Sequence, residues 1–171
     1  MTGLAEYQRQ VVDVLDPSRA DDGLAGLSIT RWSVLHWAEA GLSDVCPLTS
    51  ALLQQRGRFT AEVTAQLAAG SRSTILHRWG QAFLCRLADD ADPLVADVAL
   101  LELVMTTPAG GVVARQLPEP WVWHRDPRAV ALALLRGEDV ESLPRVCPVI
   151  VERAPDGRMQ MVPAGPPIDP A

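Results

Sequence analysis

Up to residue 105 the apolar residues of this chain return with helical spacing, segment after segment. Beyond the breaker cluster "TTPAGG" (106–111) that spacing returns in one segment only, among shorter alternating runs. That change of period limits the chain to a helical part followed by something smaller and mixed. Residues 3–15 carry Leu4, Tyr7, Val11, Val12, Val14 and Leu15 before "DPSRADDG" stops the pattern. Residues 29–42 predict a second helix with Ile29, Trp32, Leu35, His36 and Ala40 on one side. "CPLTSALLQQRG" reads as a third, with Pro47 in its first turn and Gly57 as its stop. Two more follow at 59–69 and 73–88, and a sixth at 92–105, where "ADDADP" supplies the acids and proline that suit a helix start.

The C-terminal texture differs. "PWVWH" alternates, with Trp121 and Trp123 facing one way, and "DPRAVALALLRGED" reads as a helix capped by Asp126 with Pro127 at its first position. "CPVIVERAPDGRMQMVP" is two β-prone runs around "PDG", a hairpin signal that places Val149 and Val151 on one face and Ile150 on the other. The expected architecture is mainly α. A bundle of about six helices spans 1–108, a small α+β part (strand, helix, hairpin) spans 109–164, and a disordered tail spans 165–171. Fifty residues bury too little alone, so the second part is expected to lean on the first.

Several function classes find no residues to carry them. No run of 18 apolar residues could cross a bilayer, and "MTGLAEYQRQ" shows no secretory pattern, so a cytoplasmic location is expected. Cys46, Cys85 and Cys147 are odd in number and far apart, which points to buried thiols rather than a disulfide framework. His36, His77 and His124 sit on separate elements without metal-ligand spacing. Phosphate-loop, nucleophile-elbow and CxxC patterns are missing, and "PAGGV" precedes no helix that would aim amides at a phosphate. Asp97 and Glu102, five apart on one helix, do not converge as an acid–base pair. A non-catalytic chain is expected, with no cofactor and no metal of its own.

"FTAEVTAQLAAGSRSTILHRWG" (59–80) has the outline of a helix-turn-helix. A DNA-reading second helix needs polar side chains for base edges and cations for phosphates. Here Ile75, Leu76, Trp79, Phe83, Leu84 and Leu87 form a wide apolar stripe. The turn "AAG" is one residue longer than the motif favours, Thr64 stands where a small alanine is usual, and the net charge of −6 opposes a polyanion. Two core helices are the expected reading; a transcription regulator using residues 59–88 is the alternative.

Over a longer span the chain resembles a family that carries the label of a DNA-binding domain. The matching positions are Tyr7, Pro47, Leu53, Phe59, Ser73, Leu76, Gly80, Phe83, Leu87, Pro93, Leu94, Ala99, Leu101 and Glu102. Cys46 stands where that pattern has Phe, and Cys85-Arg86 where it has an aromatic. The resemblance implies a partner protein rather than a DNA reader. Better-understood members, such as the small subunit of methanobactin oxazolone synthase, form heterodimers with a TIM-barrel, multinuclear-iron enzyme. That enzyme oxidatively rearranges cysteine in a ribosomally made precursor peptide. By this resemblance iron belongs in the partner enzyme, and the small subunit offers a sheet to the precursor's leader segment.

Candidate site residues follow from both lines. An extended peptide would add to the edge of the hairpin, with Val149, Val151, Met159, Met161 and Val162 as its contacts. Trp121 and Trp123 are either core or an exposed anchor for the partner, with Arg125 and Asp126 as a rim. Asp97 is expected to face solvent. Glu102 lies inside "ALLELVM", where a carboxylate needs a partner: an arginine of a neighbouring helix, Arg78 or Arg9, or else the partner protein.

Overall fold

The computed structural model describes residues 25–69, 76–107, 120–145, 148–153 and 159–163. The segment read as a first helix (3–15), the "PDG" turn, Cys147 and the tail (165–171) lie outside the described residues. What is described is mainly helical, with a small antiparallel sheet toward the C-terminus.

Helix α1 spans Ala25–Val45 and α2 spans Pro47–Gln55. Gly57, at φ 64°, ends α2 in the left-handed conformation that glycine adopts without Cβ strain. Its N–H bonds the Gln54 carbonyl, and the next N–H, from Arg58, bonds Leu53 at 2.8 Å. Helix α3 (Phe59–Ala68) and α4 (Leu76–Leu87) follow, then α5 (Pro93–Thr106). Asp92 caps α5 by accepting the Leu94 N–H at 3.0 Å.

Helix α5 is apolar nearly all round and is accordingly the central helix, packed against α2 and α4. The stripe on α4 expected from sequence does turn inward: Trp79, Phe83, Leu84 and Leu87 are buried. On α1, however, only Leu35 of the expected face packs against the core among the residues whose side chains are described. Trp32 is 65% exposed and stacks on exposed His36. The packed stripe is Val34, Leu35, Ala38, Gly41, Leu42 and Val45. Small residues decide this, because α4 comes so close that a Cβ on Gly41 would lie 2.9 Å from Leu76 Cδ1.

Strand β1 (Trp121–Trp123), helix α6 (Pro127–Arg136), a 3-10 turn (Val140–Ser142) and strands β2 (Val149–Arg153) and β3 (Met159–Pro163) complete the described chain. Asp126 caps α6 through the Arg128 N–H, as its sequence predicts. The sheet order is β1-β2-β3, all antiparallel, with Trp121, Val151 and Met161 in one cross-strand row. Buried residues of the sheet and of α6 belong to the same cluster as those of the bundle. The small part does lean on the large one.

Candidate functional site

Strand alternation sorts the sheet into two faces. The inner face carries Trp121, Trp123 and Val151, all buried, with Val149 and Met161 half-buried or at the rim. The outer face carries a second row, Val122–Ile150–Val162, in which Val162 is 38% exposed. Beside it Gln160 donates to the Glu152 carboxylate. With β2 in the middle, β3 is an edge: no strand lies on its far side among the described residues. Against it runs a shallow groove of about 220 Å³, walled by Val149 and Met161 from the sheet and by Asp126 and Arg128 from the start of α6. Of the expected peptide contacts, Met161 and Val162 lie on this edge strand and Val149 is half-buried on the central strand, whereas Val151 is 3% exposed: it points into the core, where no peptide can meet it. Met159 pairs with Arg153 at the other end of β3.

The residues expected to meet a partner protein are placed differently. Trp121 and Trp123 are 2% and 1% exposed, so they are core and not an exposed anchor. They are buried because the inner face of β1 lies on the bundle, and the Trp121 indole N–H donates to Asp97 of α5 at 2.7 Å. That contact also corrects Asp97. It is half-buried rather than solvent-facing, and burial pushes its carboxyl above the ordinary range. Arg125 is no rim either. Its guanidinium donates to the carbonyls of Val140 and Leu143 and pairs with Glu141 at 2.6 Å, tying the 3-10 turn to β1.

Glu102 is buried, as expected, but no arginine meets it among the described residues. Its carboxylate oxygens accept the backbone N–H groups of Leu48 at 2.8 Å and Thr49 at 2.9 Å. These are orphan donors in the first turn of α2, at the positive end of its dipole. Burial pushes the carboxyl above its usual range, and the two amides oppose that shift. Cys46, just before α2, is buried, and burial pushes its thiol up.

On the α3–α4 pair, Arg86 bonds Glu62 and Gln66, and Arg58 bonds Glu62 and Asp90. Two of the cations nearest the helix-turn-helix outline are thus engaged by carboxylates of the fold. His77 and Arg78 are exposed on α4. Among the described residues no three His, Cys, Asp or Glu side chains group so as to hold a metal ion, and no helix is long and apolar enough to cross a membrane.

Sequence reasoning missed one feature outright. A cleft of about 570 Å³ opens where the start of α5, the end of β1 and the 3-10 turn meet. Its walls include Asp92, Leu94, Trp123, His124, Glu141 and Arg145. The only signal in sequence is that two capping aspartates, a "WHRD" and the "GEDVES" turn are all polar breaks between helices, and nothing in that says they converge. Comparison with protein-family models, curated proteins and solved structures gives no significant match.

Proposed function

We propose that this chain is a non-catalytic, cytoplasmic partner subunit that binds the leader segment of a ribosomally made precursor peptide along the open edge of β3. The enzyme it serves would be a TIM-barrel iron oxidase that modifies cysteine in that precursor. The identity of the enzyme rests on the resemblance of residues 4–105 to the small-subunit family. The site of peptide contact rests on one observation, the edge of β3, unpaired among the described residues, with its adjoining groove.

Adding a strand needs a row of free backbone donors and acceptors, which supply affinity, and pockets for alternate side chains, which supply selectivity. On the inner side, the groove between Met161 and Arg128 offers a place for one apolar or amphipathic peptide side chain. On the outer side, Val162 extends the row of branched side chains that an incoming residue would continue. Methionine at 161 adapts its shape to different residues. The alternative, a regulator reading DNA with residues 59–88, has the apolar face of α4 turned inward and Arg58 and Arg86 already paired.

Successive residues of an edge strand turn their N–H groups alternately inward and outward. Of Met161→Pro and Val162→Pro, therefore, one removes an outward donor and the other an inward one. Leader-peptide affinity should fall at least tenfold, or about 1.4 kcal/mol, in the outward variant, while helical circular dichroism and association with the iron enzyme persist. Leader affinity that survives both substitutions, measured separately by fluorescence anisotropy, removes β3 as the docking edge.

A further inference from the structure

The cleft between α5, β1 and the 3-10 turn shares no residue with the groove beside β3, and its chemistry is independent of the peptide-edge reading. Most of its charges are spoken for. Arg56 bonds Glu141 and pairs with Asp92 at 3.2 Å, and Arg125 is held by Glu141 and backbone carbonyls. Asp97 accepts the Trp121 indole.

Two donors belonging to its lining residues are left over. The Trp123 indole N–H is buried, in a side chain only 1% exposed, and has no hydrogen-bond partner among the described residues. A buried donor without an acceptor is costly, and its neighbour two residues earlier on the same strand has a carboxylate for the purpose. The second leftover is Arg145, exposed and without an ion pair among the described residues. Pro93, Leu94 and exposed His124 also line the cleft, the first two with apolar surface. Its volume is in the range of small-molecule sites.

We propose that this cleft binds a carboxylate attached to a small apolar body, the Trp123 indole N–H and the Arg145 guanidinium being its donors. Carboxylate is the group that can accept from a neutral indole and pair with a guanidinium at once, and Asp97 already accepts from the Trp121 indole on the same face of the sheet. The carboxylate could belong to a free organic acid or to the C-terminus of a peptide. The chemistry at the donors is the same.

The test follows the five indole N–H signals of the full chain by NMR, assigned by single tryptophan-to-phenylalanine changes. The probes are benzoate, N-acetyl-dialanine with its free carboxylate, and the same dipeptide as its C-terminal amide. A saturable downfield shift of the Trp123 signal is expected with a carboxylate and not with the amide. Response to benzoate assigns a free acid; response to acetyl-dialanine assigns a chain end; where both respond, the tighter binder names the source. Arg145→Gln, at an exposed position that leaves the fold intact, should weaken that binding about fivefold. The proposal is overturned if neither carboxylate moves the signal up to about 10 mM, a concentration well above a millimolar dissociation constant. It is equally overturned if the amide moves it as far as the acid, or if Arg145→Gln binds as tightly as the parent.

Discussion

Glu102 shows what a single side chain does across more than fifty residues of sequence. Its carboxylate closes the start of α2 from the middle of α5, so two helices distant in the chain share one polar contact inside an apolar core. Glu102→Leu should strand both amides at a cost of roughly 2–6 kcal/mol, and Glu102→Gln, which keeps one acceptor, about 1–3 kcal/mol. Urea unfolding of the two variants checks the order. The pH dependence has a defined sign. Because burial raises this carboxyl in the folded chain, the folded state holds the proton above the ordinary glutamate range, where the unfolded state has lost it. Over that window stability falls as pH rises. Asp97, raised by its burial, acts in the same sense. Asp90 and Glu141, held low by Arg58 and Arg56, act in the opposite sense: their contribution is present above the ordinary carboxyl range and is lost as pH falls below it. Glu102→Gln should therefore flatten the decline on the alkaline side and leave the acid limb in place, as read from urea midpoints against pH. That Glu102 is buried was legible from "ALLELVM". Its partner was not, because a helix N-terminus donates through backbone, which carries no residue type to search for.

Among the elements, the hairpin strands, the strand "WVW" and the capped helix α6 were legible because alternation, turn residues and an Asp-Pro start each have a local cause. The packed face of α1 was not. Two stripes run along that helix at the same spacing, and the larger one, with Trp32 and His36, lost to the one containing Ala38 and Gly41. Hydrophobicity alone favours the wider side chains, whereas packing against α4 requires the narrow ones, and only the arrangement of both helices reveals which demand prevails. Gly80 is the matching small residue on α4. A Cβ there would lie 2.7 Å from Val45 Cγ2 and 3.0 Å from Cys46 Sγ. Alanine normally favours a helix over glycine by about 1 kcal/mol. At this crossing the overlap with a stiff valine should outweigh it, so Gly80→Ala is expected to destabilise by about 1–2 kcal/mol net. A thermal melt that rises instead would mean α1 and α4 have room to part.

At the scale of the whole molecule, one hydrophobic cluster runs from Ala38 on α1 to Val151 on β2. Folding of the sheet should thus be inseparable from folding of the bundle. Helical circular dichroism and tryptophan fluorescence are expected to report coincident urea transitions; two separated midpoints would show the small part unfolding by itself. The sequence marks where the period changes, at "TTPAGG", and the small size of the second part predicts that it leans on the first, but not through which face, since that depends on Trp121 and Trp123 turning toward the bundle rather than outward. Their arrangement has an optical consequence. The two indole rings sit 5.8 Å apart between centroids with their planes tilted by 55°. Transitions on chromophores that close and that oblique couple and split, giving a pair of bands of opposite sign that neither ring produces alone. The sheet thereby carries its own spectroscopic label, separate from the helical signal, and a ligand that reorients either indole would alter that couplet without any dye or tag.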